Sequence, residues 1–202
     1  MKLYFSKGAC SLTVRINLHE MNIPSVFEAV NLKSKETETG VNFLTINPKG
    51  AVPTLVLDNN EILTENTAIL QYLADIHNAN HLLPPIGDFK RYRVLEWLSY
   101  ISADIHKSCG PLFDTQVPEK DKKEIFVPNL KNKLTFAENH LKNNKYLLND
   151  QFTLPDAYLF VILRWMPHLT VDLSEFPNLS RYFNELKQRP AIQQALTEEG
   201  LA

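Results

Sequence analysis

The stretch INPKGAVPTLVL, residues 46–57, carries the most informative local pattern in the sequence. Its last four residues, TLVL, predict a buried strand, and Pro53 stands at the entrance of that strand. Because proline removes a donor from a strand ladder, one use for it is a cis Val52–Pro53 bond. That bond would turn the Val52 amide and carbonyl outward, where an extended peptide-like ligand could pair with them. A trans proline at an ordinary strand start is the alternative.

The segments on both sides of this stretch predict a small mixed sheet with helices. A turn follows it and leads into a second strand at 61–63, which makes a hairpin. The next helix, over 65–77, has an apolar stripe. Upstream, strands at 2–6 and 26–31 are separated by a helix over 10–21. That arrangement predicts parallel pairing with a right-handed crossover.

A change of composition at HLLPPIG, residues 81–87, indicates a domain boundary. Two adjacent prolines and a glycine cannot continue a helix. We therefore expect a first domain over 1–80, a linker over 81–87 and a second domain over 88–202. The second domain has helical periodicity throughout, and we predict its helices at 88–108, 121–143, 154–166 and 176–188, with a short one after Pro190.

The helix predicted over 154–166 has a well-defined start in FTLPDAY, residues 152–158. Thr153 is an N-cap candidate, and Asp156 stands three residues later, where it can reach back in a capping box. Pro155 is tolerated because first-turn amides have no helical partner. The helix is apolar on nearly all sides, so we expect it to form the core of the second domain. The motif is structural rather than catalytic.

Composition and charge exclude several classes of protein. The chain of 202 residues has a formal net charge of −2 at pH 7, and its basic residues are scattered, so we expect no nucleic-acid partner. No signal-peptide pattern and no apolar run near the ~20 residues of a membrane span are present. We therefore expect a cytoplasmic protein without a membrane partner. Two cysteines make no disulfide framework, and no histidine has ligand spacing to them, so no metal site is expected.

Two helix starts in the first domain carry candidate functional side chains. Cys10 stands at the predicted start of the first helix, where free amides lower the pKa of a thiol from its usual ~8.5. A small buried hydrophobe is the alternative role for this cysteine. Glu65 and Asn66 begin the helix over 65–77, where free amides favour a ligand carboxylate and a glutamate can receive a ligand ammonium. Simple capping by Thr64 and Glu65 is the alternative there.

The order of these elements and several motifs resemble the cytosolic glutathione transferases. The resemblance is strongest to the bacterial beta class, which carries a cysteine where other classes use tyrosine or serine. It implies an α/β plus all-α fold, with an N-terminal thioredoxin-like domain that binds glutathione and an all-helical C-terminal domain. The stretches that carry it are GACSL (8–12), INPKGAVPTLVLDN (46–59), ILTENTAILQYLAD (62–75), RYRVLEWLSYISADIHK (91–107), FTLPDAYLF (152–160) and RPAIQQALTEEGL (189–201).

The resemblance also implies roles for individual residues. Catalytic roles are implied for Cys10, Ser11 and His106. The implied glutathione-binding residues are Cys10, Lys35, Val52, Pro53, Glu65, Asn66, Ser99, Asp104, His106 and Lys107. Among them, Lys35 corresponds to a glycyl-carboxylate contact, the Val52 backbone to a clamp on the cysteinyl part, and Glu65 with Asn66 to γ-glutamyl anchors. The candidates for a hydrophobic co-substrate pocket are Leu112, Phe113 and Trp165.

The helix over 88–108 is expected to contribute to the glutathione site. Ser99, Ala103 and His106 are spaced by four and three residues and so share one helix face, where a histidine could handle a proton near the thiol. In relatives this helix completes the glutathione site of the partner subunit, with Ser99 and Asp104 at the corresponding positions. The resemblance therefore implies a two-fold homodimer, with glutathione as co-substrate and no other cofactor.

Four positions depart from the pattern of the beta class. Phe5 lacks the hydroxyl of the usual tyrosine, and Asn66 replaces a small residue. Ala103 lacks a hydroxyl, and Asp104 is shorter than the usual glutamate. The loss of one hydrogen bond costs about 0.5–1.5 kcal/mol, or tenfold at most, so we expect a working but slower site. The resemblance assigns no role to Cys109.

Three functions remain open at this point. The first is a glutathione transferase that directs the glutathione thiol at hydrophobic electrophiles. The second is a glutathione-dependent thiol-disulfide oxidoreductase or peroxidase in which Cys10 is the nucleophile. The third is a partner-binding protein of the same fold without transferase chemistry, as in the stringent starvation proteins.

Overall fold

The computed structural model describes residues 1–202 and divides into two compact units. The first unit combines Met1–Ala79 with Arg189–Ala202, and the second contains Asn80–Gln188. The last residues of the chain thus belong to the first unit, whereas the sequence suggested a second domain that runs to residue 202. No helix is both long enough and apolar enough to cross a membrane.

The first unit contains a five-stranded sheet in the order β3-β2-β1-β4-β5. Its strands are β1 (Lys2–Phe5), β2 (Val26–Asn31), β3 (Glu36–Thr37), β4 (Thr54–Val56) and β5 (Ile62–Thr64). Its helices are α1 (Leu12–Glu20), α2 (Asn66–Ile76) and α9 (Pro190–Glu198), and a 3-10 turn covers Phe43–Thr45.

Strand pairing follows the predicted pattern. β1 and β2 are parallel, with Leu3 opposite Phe27, as the intervening α1 requires. β4 is antiparallel to β1, with Leu3 opposite Leu55, and pairs with β5 as the predicted hairpin. Leu3 and Leu55 are completely buried, so the central strands carry the core of this unit. The short β3 was not predicted.

The first helix starts later than its sequence suggested. Residues 8–11 form turns, with Gly8 at φ +70° and the Leu12 amide donating to the Ala9 carbonyl at 3.0 Å. Ser11 is the N-cap residue of α1. Cys10 therefore lies in the turn that leads into α1, and not inside the first helical turn as predicted.

A buried ion-pair network joins the C-terminal residues to α1 within the first unit. Arg15 is 3% exposed, and it pairs with Glu198 at 2.9 Å and with Glu199 at 3.2 Å. Its guanidinium lies 4.3 Å from the ring centre of Phe5 and 3.8 Å from that of Phe27. Phe5, a departure from the class pattern, thus has a cation–π role here.

The same network supports the turn that carries Cys10. The second carboxylate oxygen of Glu199 accepts a hydrogen bond from the Gly8 amide at 2.8 Å. Because Glu199 is 5% exposed, its charge is stabilised only through such partners. The end of the chain therefore fixes the backbone two residues before the thiol.

The second unit is helical, as predicted. It contains α3 (Phe89–Tyr100), α4 (Lys107–Phe113), α5 (Glu119–Asp121), α6 (Val127–Leu141), α7 (Leu154–Trp165) and α8 (Pro177–Lys187). π-Helical segments at Ile101–His106 and Lys122–Phe126 join α3 to α4 and α5 to α6. The helices predicted over 88–108 and 121–143 therefore contain changes of pitch that apolar periodicity did not indicate.

Helix α7 forms the core of the second unit. Every residue from Leu154 to Trp165 is buried except Arg164. The predicted capping box is confirmed, because Asp156 accepts a hydrogen bond from the Thr153 amide at 2.7 Å. Asp156 also accepts bonds from the Leu147 amide and the Tyr182 hydroxyl. The motif thus ties a loop and α8 to the start of α7.

Candidate active site

The Val52–Pro53 peptide bond is cis, which settles the choice between the two geometries. The loop before it is held by Asn47, whose side-chain amide donates to the Ala51 carbonyl at 2.8 Å and to the Thr54 hydroxyl at 2.9 Å. Gly50 has φ +60°, and a Cβ there would lie 3.0 Å from Leu44. The positive φ therefore favours glycine at this point, and a side chain there would also require Leu44 to shift.

Lys35 lies beside this loop. Its ammonium donates to the Gly50 carbonyl at 2.8 Å, and its own backbone has φ +59°. The predicted glycyl-carboxylate residue is thus held next to the cis-proline loop. A loop of this kind can present a cation and free backbone groups to one extended ligand.

The Cys10 thiol faces the same loop. Its sulfur donates a hydrogen bond to the Val52 carbonyl at 3.3 Å. Burial raises the pKa of the thiol to about 11, and the negative charge of Glu65 adds to the rise. The amides of Cys10 and Ser11 lower the pKa, but they do not compensate for the loss of solvation. The predicted lowering of this pKa is therefore wrong: Cys10 is a neutral hydrogen-bond donor at pH 7.

This protonation state has a measurable consequence for alkylation of the glutathione-free protein. Since only the thiolate reacts, we expect the rate of Cys10 modification by iodoacetamide to rise about tenfold per pH unit from pH 7 to pH 10. The Cys10→Ala variant gives the background from Cys109, which is completely buried and has a pKa of about 12. A plateau in the Cys10 rate below pH 9 would contradict this assignment.

Ser11 has a local structural role. Its hydroxyl accepts from the Ser6 amide at 3.2 Å and donates to the Ser6 carbonyl at 3.4 Å. The side chain is completely buried. These bonds close the turn between β1 and α1, so the hydroxyl is engaged in holding the turn that carries Cys10.

Glu65 occupies a backbone conformation that disfavours glutamate. It is the N-cap residue of α2, with φ +72° and ψ 124°. Its carboxylate is 66% exposed and pairs with the Lys49 ammonium at 2.6 Å. An exposed pair of this kind is weak, so the carboxylate remains available to a ligand ammonium. A non-glycine residue in such a conformation costs about 1–3 kcal/mol and typically marks a functional site.

Asn66 is directed toward Cys10. Its amide nitrogen donates to the Cys10 carbonyl at 3.1 Å, and the side chain lowers the pKa of the thiol. The residue is 6% exposed, and its carbonyl oxygen is buried without a hydrogen-bond partner. Asn66 is larger than the residue usual in the class, and its longer side chain bridges α2 to the Cys10 turn.

In the second unit, His106 lies at the end of the first π-helical segment. Its Nδ1 atom is 2.7 Å from the Tyr158 hydroxyl, and its ring centre is 5.1 Å from that of Trp165. Burial, with a smaller contribution from the Lys107 charge, holds the pKa of His106 below its ordinary value. The imidazole is therefore neutral at pH 7.

Two of the pocket candidates lie with His106. The Phe113 and Trp165 rings meet edge to face at 5.5 Å, and Phe113 is half exposed. Leu112 is 8% exposed and belongs to the core. The second unit thus brings an imidazole and two aromatic rings together, which is a surface suited to an apolar molecule.

The remaining predicted residues of this unit lie on its surface or in ion pairs. Ser99 and Lys107 are exposed. Asp104 is half-buried and pairs with the Lys133 ammonium at 2.7 Å. The π-helical segment alters the α-helical spacing that placed Ser99, Ala103 and His106 on one face.

Sequence reasoning missed several residues that support these groups. Tyr158, Lys133, Lys49 and Glu199 each bond a predicted site residue or the turn that holds one. No local signal indicates these contacts, because each pair is at least 16 positions apart in sequence. Tyr158 lies in the predicted core helix, whose apolar pattern indicates packing and not a contact with His106.

Comparison with known proteins places this arrangement in a family. Residues 8–76 match the family described as glutathione S-transferase, N-terminal domain, and residues 95–190 match glutathione S-transferase, C-terminal domain. Glutathione S-transferase GstA of Escherichia coli O157:H7 is 38% identical, and the alignment covers 100% of both chains. Glutathione S-transferase GST-4.5 of Xanthomonas campestris is 36% identical with the same coverage.

Solved structures agree with this placement. A ternary complex of BphK, described as a bacterial GST, superimposes with a TM-score of 0.95 at 41% identity over 100% of both chains. The bacterial beta class glutathione S-transferase of Sphingomonas chungbukensis gives a TM-score of 0.95 at 40% identity, again over 100% of both chains. The predicted fold, with a thioredoxin-like N-terminal part and a helical C-terminal part, is confirmed. The chain belongs to the glutathione S-transferase family.

Proposed function

We propose that this glutathione transferase conjugates glutathione to apolar electrophiles, and that Cys10 donates a hydrogen bond to the glutathione sulfur. The observation that carries the proposal is the 3.3 Å hydrogen bond from the Cys10 thiol to the Val52 carbonyl, beside the cis Val52–Pro53 bond. A neutral thiol is a donor and not a nucleophile. Its position beside a backbone acceptor for peptides supports the donor role.

Binding of glutathione would redirect this donor. The Val52 carbonyl is a suitable acceptor for the N–H of the cysteinyl part of glutathione, in the manner of an added strand. That N–H would compete with the Cys10 thiol for the same oxygen. The thiol is then free to donate to the glutathione sulfur, and such a bond to an anion is stronger than one to a neutral carbonyl.

The chemical step follows from this placement. The glutathione thiol loses its proton to solvent, and the remaining thiolate is stabilised by the Cys10 donor. The sulfur lone pair then forms a bond to the electrophilic carbon, and the leaving group departs with its bonding electrons. Cys10 keeps its proton throughout, so no bond to Cys10 forms or breaks. The work of the site is to lower the pKa of the glutathione thiol and to hold it in place.

The ends of glutathione are assigned to charged groups of the first unit. The exposed Glu65 carboxylate suits the γ-glutamyl ammonium, and the free amides at the start of α2 suit its carboxylate. Lys35, held on the Gly50 carbonyl, suits the glycyl carboxylate. Asn66 is assigned to support of the Cys10 turn rather than to direct γ-glutamyl binding, because its amide is already bonded there.

The second unit is assigned to the electrophile and to the sulfur. His106 is proposed as a polar group for the glutathione sulfur, with Lys107 as a nearby cation. Phe113 and Trp165 are proposed as the apolar contact for the co-substrate, because the rings adjoin the imidazole and Phe113 is half exposed. Glutathione is the co-substrate, and the mechanism requires no other cofactor.

We also propose a two-fold dimer in which Ser99 and Asp104 contribute to the glutathione site of the partner subunit. The exposed position of Ser99 supports this assignment. The Asp104 carboxylate is shared with Lys133 at 2.7 Å. A shared carboxylate is a weaker ligand for an ammonium, so its contribution is expected to be smaller than that of Glu65.

The role of Cys10 is tested with a pair of substitutions. In Cys10→Ser a hydroxyl can replace the thiol as donor, so we expect conjugation of an aryl halide to stay within about threefold of wild type. In Cys10→Ala the donor is lost, and a hydrogen bond to a charged group is worth about 1.5–3 kcal/mol, or roughly 10- to 100-fold in kcat/KM. Intact mass after incubation with glutathione under air should show no adduct on the wild-type protein.

The same samples discriminate the alternatives. A glutathione adduct on wild type, with disulfide reduction lost equally in Cys10→Ser and Cys10→Ala, would replace the donor role with the redox nucleophile. Absence of both glutathione binding and turnover in wild type would favour a partner-binding protein.

A further inference from the structure

We infer that Tyr158 is a positioning residue that holds His106 in the tautomer with its proton on Nε2. This inference rests on the proposed function, in which His106 acts on the glutathione sulfur. It changes the expected role of the histidine: the ring edge opposite Tyr158 carries an N–H donor for a thiolate and not a lone pair that removes a proton.

The contact between the two side chains is short and well defined. The Tyr158 oxygen is 2.7 Å from Nδ1 of His106, and the two rings lie edge to face with their centres 5.8 Å apart. Tyr158 is 2% exposed. A buried hydroxyl of this kind is held in a fixed position by its hydrogen bonds.

The direction of the hydrogen bond decides the tautomer. A neutral imidazole has one donor nitrogen and one acceptor nitrogen. If Nδ1 carried the proton, it would donate to the phenol oxygen, and N–H···O bonds are typically about 2.9–3.0 Å long. The 2.7 Å contact is at the short limit of N–H···O bonds, and a phenol hydroxyl is a stronger donor than an imidazole N–H, while a neutral imidazole nitrogen is a stronger acceptor than a phenol oxygen. The 2.7 Å distance therefore points to Tyr158 as donor and Nδ1 as acceptor, which leaves the proton on Nε2.

The surroundings of Tyr158 keep it in place. It lies in the first turns of α7, two residues after Asp156, whose carboxylate fixes the start of that helix. The flanking residues Ala157 and Leu159 are completely buried. The hydroxyl is thus carried by the buried core helix of the second unit, and close packing of this kind is what a group that orients another side chain requires.

A neutral, correctly oriented donor suits a thiolate. Protonation of His106 would place a hydrogen on Nδ1, and the Tyr158 hydroxyl would then have to turn its own hydrogen away in order to accept it. Burial and the Lys107 charge disfavour the imidazolium in the same direction. His106 would therefore contribute through one fixed N–H bond and would not shuttle a proton.

The test measures the tautomer directly and then its effect on turnover. Long-range ¹⁵N–¹H correlation spectra of the wild-type protein report which nitrogen is protonated, with His106→Ala for assignment. We expect the Nε2–H pattern in wild type and a mixture of tautomers in Tyr158→Phe, with kcat for conjugation about tenfold lower and KM for glutathione within twofold. Combining both substitutions should give no further loss beyond His106→Ala.

A matched control and the opposing outcomes separate the possibilities. Tyr100→Phe removes another hydroxyl of the same unit, bonded to the Lys133 carbonyl, and should leave the His106 tautomer unchanged. An Nδ1–H pattern in wild type would overturn the inference even if Tyr158→Phe does not fold. The inference would also be overturned if Tyr158→Phe lowered kcat by the same factor in the wild-type protein and in the His106→Ala variant. Full activity of His106→Ala would instead remove His106 from the proposed function.

Discussion

Replacing Asp156 by alanine is expected to lower the free energy of unfolding by about 4 kcal/mol, since four donors would lose one buried acceptor. The donors are the Leu147 amide, the Thr153 amide and hydroxyl, and the Tyr182 hydroxyl, at 2.7–3.0 Å. Asp156 is completely buried, and burial raises its pKa to about 6. At pH 7 it is therefore mostly a carboxylate that depends on these donors.

The loss of Asp156 should also disturb the candidate active site, because Asp156 fixes the start of α7. That helix carries Tyr158 and Trp165, so loosening its start disturbs the surroundings of His106. Urea titration followed by tryptophan fluorescence measures the change. Asp156→Asn keeps one oxygen but turns an amide toward one pair of donors, and should lose about half as much.

Asp172→Asn is the matched control for this prediction. Asp172 is exposed and accepts a hydrogen bond from the Ser174 amide within its turn, which an asparagine oxygen can also accept. We expect a change within about 0.5 kcal/mol. If Asp156→Ala unfolded at the same urea concentration as Asp172→Asn, the proposed role of the buried carboxylate would be refuted.

Replacing Glu65 by glycine is expected to have opposite effects on stability and on glutathione affinity. Glycine adopts φ +72° without strain and is acceptable as an N-cap residue. The variant should therefore be as stable as wild type or about 1 kcal/mol more stable. The variant loses the carboxylate that would bind the ammonium of glutathione. This loss should weaken the binding free energy by about 2–3 kcal/mol, which raises the dissociation constant roughly 30- to 150-fold.

A substitution of Lys49 separates the ligand role of Glu65 from its ion pair. Both side chains of the pair are more than half exposed. Lys49→Ala should therefore change the free energy of unfolding by less than about 1 kcal/mol and the dissociation constant for glutathione by less than about twofold. Isothermal titration with glutathione gives the dissociation constants, and urea titration gives the free energies of unfolding. Loss of stability in Glu65→Gly, with affinity retained, would show that Glu65 serves the fold and not the ligand.

Features that depend on neighbouring residues were predicted well from sequence. The hairpin after Pro53, the parallel pairing across α1 and the capping box of α7 each follow from residues within one or two elements. Turn chemistry, periodicity and capping are local effects. The family motifs are local in the same sense, and for this reason they identified the candidate site residues.

Features that depend on tertiary contacts could not be predicted. The pKa of Cys10 rises because burial desolvates the sulfur, which is bonded to the Val52 carbonyl, 42 positions away. Helix-end amides are a local effect that favours the thiolate, and burial outweighs them. The bond from Gly8 to Glu199 spans 191 positions, so the assignment of the last residues to the first unit had no signal near either partner.

The most direct test of the account is the ionisation of glutathione bound to the wild-type protein. The ultraviolet absorbance of the thiolate is followed against pH with saturating glutathione, using Glu65→Gly as the variant with weakened binding. We expect a midpoint at least about one pH unit below the ~8.5 of a free thiol, with the Cys10→Ala variant shifted back toward it. A midpoint equal to that of free glutathione, or one that does not depend on the Cys10 donor, would contradict the account.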